Sequence, residues 1–232
     1  MALRTKSAGI SLPMRVWDAA TRLFHWGIVL LLIISYVSIS LADGKYSELA
    51  MRIHLISGDT LLGALVFRVI WGIIGSDTAR FRTFLHSPVA AFRHLRSFFR
   101  REPDLQVGHN EAGGWMVVVL LLLLAVQVGS GLGANDDGAT EGPLVRFISK
   151  DTSDLLSKIH GISFNVLAAT VGLHVAAVLG YAVFKRQNLV RPMITGKKRL
   201  PAATRAPRMA HPLLALGVAL FAAAVALGVV WL

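Results

Sequence analysis

Four histidines lie inside the long apolar runs of this chain: His25, His54, His160 and His174. An ionisable side chain is expensive to place in such a run, so a histidine there is by default a candidate for function. Imidazole is a common metal ligand. The chain has no cysteine, which excludes disulfides, iron–sulfur clusters, thiolate zinc sites and covalent haem attachment through Cys-x-x-Cys-His. These residues therefore favour ligation by imidazole alone.

The elements that position these histidines are predicted to be membrane-spanning helices. Hydrophobic residues make up 54% of the 232 residues and charged residues 16%, below the roughly 25% charge of soluble domains. Five apolar runs reach the ~20 residues that a span needs. They cover 23–42, 53–75, 113–134, 156–184 and 212–232. Helices satisfy their own backbone in lipid. We therefore predict an all-α integral membrane protein, whose first run is a span because it is too long for a signal peptide.

The charges predict the orientation. Most Lys and Arg residues lie in the first 22 residues and in the segments after the second and fourth runs, whereas the other loops hold most of the acids. By the positive-inside rule the N-terminus is cytoplasmic, and five spans place the C-terminus outside, in the periplasm. The net charge of +11 then reflects topology and lipid contact, so we predict no nucleic-acid partner. The acidic outer loops either dock a basic partner or are plain solvated loops.

This topology places the four histidines at two depths. His54 and His160 begin spans that enter from outside, so they share an outer level. His174 follows His160 by 14 residues, which is about 21 Å and nearly four turns of a helix. It therefore points from nearly the same face at the inner level, where His25 also lies. Four imidazoles that form two level pairs favour two stacked haems between the helices, whereas a lone membrane histidine would favour a simple hydrogen bond.

Other polar residues have weaker signals. Arg68 lies 14 residues after His54 and is a candidate partner for an inner haem propionate, although it also has the length to snorkel to headgroups. Arg52 and Lys158 flank the outer histidines and are candidates for propionates there. Asp59 is a candidate proton acceptor or an ordinary polar residue near the outer water. The remaining histidines are predicted to be polar surface residues; they are His86, His94, His109 and His211.

Several motifs resemble those of the bacterial cytochrome b561 family, which includes the b-type cytochrome subunits of nickel–iron hydrogenases. They cover about residues 14–200. The matching segments are RVWD at 15–18, RLFHW at 22–26, FRVIWGIIGS at 67–76, ARF at 79–81, SP at 87–88, GHN at 108–110, GGW at 113–115, His160 with Asn165, LHVAAV at 173–178, NLV at 188–190 and MITG at 193–196.

The resemblance implies a four-helix haem-binding bundle in residues 1–200, with 201–232 as a basic linker and an extra fifth transmembrane helix. It implies two non-covalent b-type haems, ligated by His25 with His174 and by His54 with His160. It also implies electron transfer in the bacterial inner membrane between quinone and a periplasmic cytochrome c or redox-enzyme subunit. Two alternatives stay open here: a self-contained superoxide:quinone oxidase, and a haem-free membrane anchor or transporter.

Overall fold

The structure of the chain is a computed structural model that describes residues 11–42, 47–101, 103–138 and 140–232. Five helices in this part of the chain are long and apolar enough to cross a membrane, which confirms the predicted all-α membrane architecture. The elements in chain order are β1 (Ser11–Arg15), α1 (Ala19–Ser40), α2 (Ser47–Ile74), α3 (Phe81–Phe84), α4 (Pro88–Arg96), α5 (Glu111–Leu132), α6 (Lys150–Phe184), α7 (Val190–Thr195), β2 (Lys197–Pro201) and α8 (Pro212–Val230).

Helices α1, α5 and α6 begin two to six residues before the corresponding apolar runs do, because polar caps set their starts. The Asp18 carboxylate accepts the backbone N–H of Thr21 at 2.6 Å at the start of α1. The Asn110 side chain caps α5, and the Ser149 hydroxyl caps α6. Such caps satisfy backbone N–H groups that the helix leaves free. The helices therefore include a polar first turn that hydropathy alone leaves out.

The long helices pack as two pairs that meet in the middle of the bundle. α1 lies against α2, α5 lies against α6, and α2 also contacts α5. A buried cluster joins them and consists of Leu61, Leu124, Val128 and Leu167. Many other apolar side chains of these helices are exposed, as expected for surfaces that face lipid.

Helix α8 packs on α2 through small residues. A Cβ placed on Gly63 would lie 3.5 Å from the Cβ of Ala226 and 3.6 Å from the carbonyl oxygen of Ala222. Small residues at such positions let two membrane helices approach closely. Gly63 therefore serves helix packing.

One end of the bundle is covered by the short elements. α1, α5 and α8 begin there, α2 and α6 end there, and β1, α3, α4, α7 and β2 lie there as well. We call it the basic end, because its segments hold most of the Lys and Arg residues. The opposite end, which holds most of the acidic loop residues, is the acidic end.

A two-stranded ribbon at the basic end was not predicted from the sequence. β1 pairs antiparallel with β2, from Ser11 opposite Pro201 to Arg15 opposite Lys197. Val16, Trp17 and Leu200 form a buried cluster beside it. The ribbon thus ties the segment before α1 to the segment after α7.

Candidate functional site

The structure places each of the four span histidines next to another one. His25 on α1 faces His174 on α6, with ring centroids 6.5 Å apart and planes inclined by 58°. His54 on α2 faces His160 on α6, with centroids 6.2 Å apart and planes inclined by 86°. We call these the basic-end pair and the acidic-end pair. They lie at the two levels that the sequence predicts, and α6 contributes one imidazole to each.

The ring separations fit a single metal atom between the two imidazoles of each pair. A metal–imidazole bond is about 2.0–2.1 Å, and the centroid of the ring lies ~1.2 Å behind the bonded nitrogen, so two ligands on one metal place their centroids about 6.4 Å apart. Among the described residues no group of three or more His, Asp or Glu side chains could hold a bare metal ion. The pairs therefore fit the two axial ligands of a haem, whose porphyrin supplies the other ligands.

Hydrogen bonds orient both rings of the acidic-end pair. The Nδ1 of His54 lies 3.0 Å from the carbonyl oxygen of Ser35, and the Nδ1 of His160 lies 2.9 Å from the carbonyl oxygen of Gln127. A carbonyl only accepts, so Nδ1 is the donor in each of these hydrogen bonds, which leaves Nε2 as the ring nitrogen for a metal. This arrangement, in which the second ring nitrogen donates to a carbonyl, is the usual one for a metal-ligating histidine.

Gln127 is a buried polar residue of the acidic-end site that sequence reasoning missed. Its amide nitrogen lies 3.1 Å from Nε2 and 3.3 Å from Nδ1 of His160. Because it is nearly equidistant from the two ring nitrogens, it is not aligned with the lone pair of either one. Its amide oxygen accepts the hydroxyl of Ser163 at 2.5 Å. A lone glutamine in the middle of an apolar helix was the available signal, because such a residue needs buried partners.

Two glycines leave room around the acidic-end pair. A Cβ on Gly131 would lie 2.9 Å from Cε1 of His160, so only glycine lets this ring approach α5 so closely. Gly58 follows His54 by four residues, on the same face of α2, and a Cβ there would meet nothing within 4 Å. The open space beside His54 is a place that a flat ring would fill.

Arg68 is buried near the basic end of α2, with only 3% of its surface exposed. Its guanidinium carbon lies 4.8 Å from the centroid of the Phe81 ring. Its Nη1 is buried without a hydrogen-bond partner. The side chain therefore does not snorkel outward, and it presents a free donor to the interior of the site.

The other three charged candidates lie toward the acidic end. Arg52 and Lys158 are each two residues from a histidine of the acidic-end pair, but both side chains are exposed. Asp59 is half-buried. The structure therefore does not bring these three side chains into the buried part of the site, as it does Arg68.

The prediction that His109 is a surface residue is wrong. Its ring packs edge-on against Trp17, with centroids 4.8 Å apart, and lies 4.6 Å from the ring of Phe84. The Nδ1 is buried without a partner. Burial, followed by the nearby charges of Arg68 and of the basic-end histidines, lowers the pKa of His109 to about 3. A half-buried histidine with a buried Nδ1 thus lies at the basic end.

His94 is also more enclosed than predicted. Its Nδ1 lies 3.1 Å from a carboxylate oxygen of Glu111, and its Nε2 lies 2.8 Å from the Tyr181 hydroxyl. His94 and Glu111 border a cavity of about 350 Å³ at the basic end. His86 and His211 are exposed, as the sequence predicts for them.

Comparison with known proteins identifies the family of the chain. Residues 16–196 match the prokaryotic cytochrome b561 family. The chain is 22% identical over 212 residues to a protein of Bradyrhizobium diazoefficiens named "Probable Ni/Fe-hydrogenase B-type cytochrome subunit", an alignment that covers 79% of this chain and 85% of the relative. No solved structure matches the chain significantly. The matched segment contains all four span histidines, and the chain belongs to the prokaryotic cytochrome b561 family.

Proposed function

We propose that this membrane b-type cytochrome holds two non-covalent haems and relays electrons between them. His25 and His174 ligate one haem, and His54 and His160 ligate the other. The observation that supports this most directly is the presence of two imidazole pairs, with ring centroids 6.5 and 6.2 Å apart, at different depths of one bundle.

The chain's own residues make each site suited to electron transfer. A haem, when bound, supplies a one-electron redox centre. The two imidazoles of each site would hold the haem iron between them, which suits electron transfer rather than substrate binding at the iron. The carbonyl groups of Ser35 and Gln127 fix the acidic-end rings and raise their basicity as ligands. The single helix α6 holds the two sites about 21 Å apart along its axis.

Basic side chains are proposed to bind the haem propionates. Arg68 is buried at the level of the basic-end pair with a free donor, which suits a carboxylate of that haem. Arg52 and Lys158 are exposed next to the acidic-end pair, where they suit propionates that reach the membrane surface.

The proposed setting is the bacterial inner membrane, with the N-terminus in the cytoplasm and the C-terminus in the periplasm. The excess of basic residues at one end supports this orientation. Residues 1–200 form the haem-binding domain, and residues 201–232 add a linker and α8 to it.

We propose that the electrons pass between membrane quinone and a periplasmic redox partner, either a cytochrome c or a redox-enzyme subunit. The name of the Bradyrhizobium relative assigns that protein to a hydrogenase, and the acidic loops of this chain suit a basic docking surface. Co-purification of a periplasmic haem or metal protein is the expected result. Reduction of quinone by superoxide with the isolated chain would instead favour a self-contained oxidase.

The central test is haem content and an optical redox titration of the purified protein. We expect two b-type haems per chain with two midpoint potentials. His25→Ala and His174→Ala should each remove the same haem, and His54→Ala and His160→Ala the other, whereas His86→Ala, at an exposed site, should keep both. A wild-type protein without b-type absorbance would refute the proposal in favour of a haem-free anchor or transporter.

A further inference from the structure

Buried polar atoms without a hydrogen-bond partner collect around the basic-end pair. Among the described residues they include Nη1 of Arg68 and Nδ1 of His109, together with Nδ1 of His25 itself. A buried donor without an acceptor costs free energy, and such groups are rare in folded proteins. Several of them in one region indicate that a molecule other than the chain supplies the acceptor.

Arg68 and His109 belong to one contiguous aromatic corner. The Arg68 guanidinium lies 4.8 Å from the Phe81 ring, and the Phe81 and Phe84 rings are 5.8 Å apart. The Phe84 ring in turn lies 4.6 Å from that of His109, which also packs against Trp17. The last turns of α2 and the residue just before the cap of α5 thus place their two donors in the same corner.

The neighbouring acid is already engaged. Asp18 is the acidic side chain whose charge acts on Arg68. One of its carboxylate oxygens accepts the backbone N–H of Thr21 at 2.6 Å, and the other accepts the Thr21 hydroxyl at 3.0 Å. The carboxylate therefore caps α1, and it does not accept a hydrogen bond from Nη1 of Arg68.

The two donors match one carboxylate. The guanidinium supplies a positive charge, and the neutral imidazole supplies an N–H without adding a second buried charge. A haem propionate is a carboxylate, and it belongs to the haem whose iron the basic-end pair would ligate.

We propose that Arg68 and His109 together clamp a propionate of the basic-end haem, with His109 as a positioning residue that donates from Nδ1. This inference rests on the proposed function. The clamp would link the segment before α5 to the haem, and it would partly neutralise the negative charge of the propionate. Because negative charge near a haem favours its oxidised form, loss of the donor should lower the midpoint potential of that haem alone.

The test uses the full-length haem-loaded protein and three variants. His109→Phe keeps the ring packing against Trp17 and Phe84 but removes the N–H, whereas His109→Gln keeps a donor. His86→Phe is the matched control, because His86 is exposed in the same segment between α2 and α5. Each protein is titrated optically, and the basic-end haem is identified as the one that His25→Ala removes. Redox-difference infrared spectra of protein loaded with 13C-propionate haem report the carboxylate directly.

For His109→Phe we expect the ratio of reduced to oxidised basic-end haem at the wild-type midpoint to fall by roughly two- to tenfold, as loss of one hydrogen bond implies. The propionate bands should shift, and His109→Gln should restore most of both effects. Unchanged potential and bands in His109→Phe, or an equal change in His109→Gln or His86→Phe, would overturn the clamp. If His109→Phe does not accumulate, the comparison is between His109→Gln and Arg68→Gln. We then expect the midpoint potential and the propionate bands to shift in Arg68→Gln only. Absence of haem in the wild-type protein would refute the proposed function itself.

Discussion

Replacing Gly131 by alanine tests whether close approach of α5 to the His160 ring is needed for haem binding. The new Cβ would lie 2.9 Å from Cε1 and 3.1 Å from Nδ1 of His160, whereas ordinary contact begins at 3.4 Å. The ring must therefore retreat by about 0.5 Å, which exceeds the ~0.2 Å that a metal–ligand distance tolerates. Disturbing the surroundings of a metal-ligating histidine typically weakens binding by about 10–100-fold, or ~1.4–2.8 kcal/mol.

Gly129→Ala is the matched control for this substitution. Gly129 lies on the same helix, and a Cβ there would meet nothing within 4 Å. Both substitutions gain the same helix propensity, about 1 kcal/mol, so the difference between the two variants isolates the contact with His160.

The assay is the rate at which the purified protein loses its acidic-end haem to an excess of a haem-scavenging globin. The acidic-end haem is identified spectrally as the one that His160→Ala removes. We expect Gly131→Ala to release it about 10–100 times faster than wild type, and Gly129→Ala to stay within about twofold. Equal release from the two glycine variants would refute the reasoning from ring contact.

Three further predictions address other contacts. Gln127→Leu removes the amide beside His160, and an optical redox titration should show a shifted midpoint potential for the acidic-end haem only. Gly63→Val inserts a branched side chain where a Cβ would already lie 3.5 Å from Ala226, so the unfolding temperature in detergent should fall by several degrees, about 2–4 °C per kcal/mol. Asp136 accepts hydrogen bonds from two backbone N–H groups of its loop, and these bonds lower the pKa of its carboxyl. The backbone amides of this loop should therefore be protected from hydrogen exchange at neutral pH, and this protection should be lost as the pH falls through the lowered pKa.

Each of these expectations has a result that contradicts it. An unchanged acidic-end potential in Gln127→Leu would remove the amide from the site. Gly217→Val on α8, where a Cβ would meet nothing within 4 Å, is the control for Gly63→Val, and an equal loss of stability in both would argue against the α2–α8 contact. Loop protection that persists in Asp136→Ala at neutral pH would show that other groups order that loop.

The regular rise and rotation per residue of an α-helix account for the part of the site that the sequence predicts. The 14 residues between His160 and His174 fix both depth and direction along α6, and the spans fix the levels of His25 and His54. Apolar runs of ~20 residues predict helices strongly, because lipid leaves the backbone few alternatives. These constraints are local along the chain, so they can be read without knowing which helices touch.

Contacts between segments that are distant in the sequence could not be predicted in this way. The β1–β2 ribbon pairs residues that are more than 180 positions apart, and each strand contains a proline, which argues against a strand when the sequence alone is considered. His109 follows an arginine-rich segment, so its composition indicated a surface. Its burial depends on Trp17 and Phe84, which come from two other parts of the chain.

This difference in origin distinguishes the two proposed haem sites. The acidic-end pair is oriented by residues of the spanning helices themselves, namely Ser35, Gln127 and Gly131. The basic-end pair is enclosed by segments between the spans, where Arg22 donates to the carbonyl oxygen of Ile194 on α7 at 2.5 Å and His109 packs against the aromatic corner. Changes in those segments should therefore move the potential of the basic-end haem and leave the other unaltered. A periplasmic partner that docks at the acidic end would act on the site whose geometry depends least on the loops.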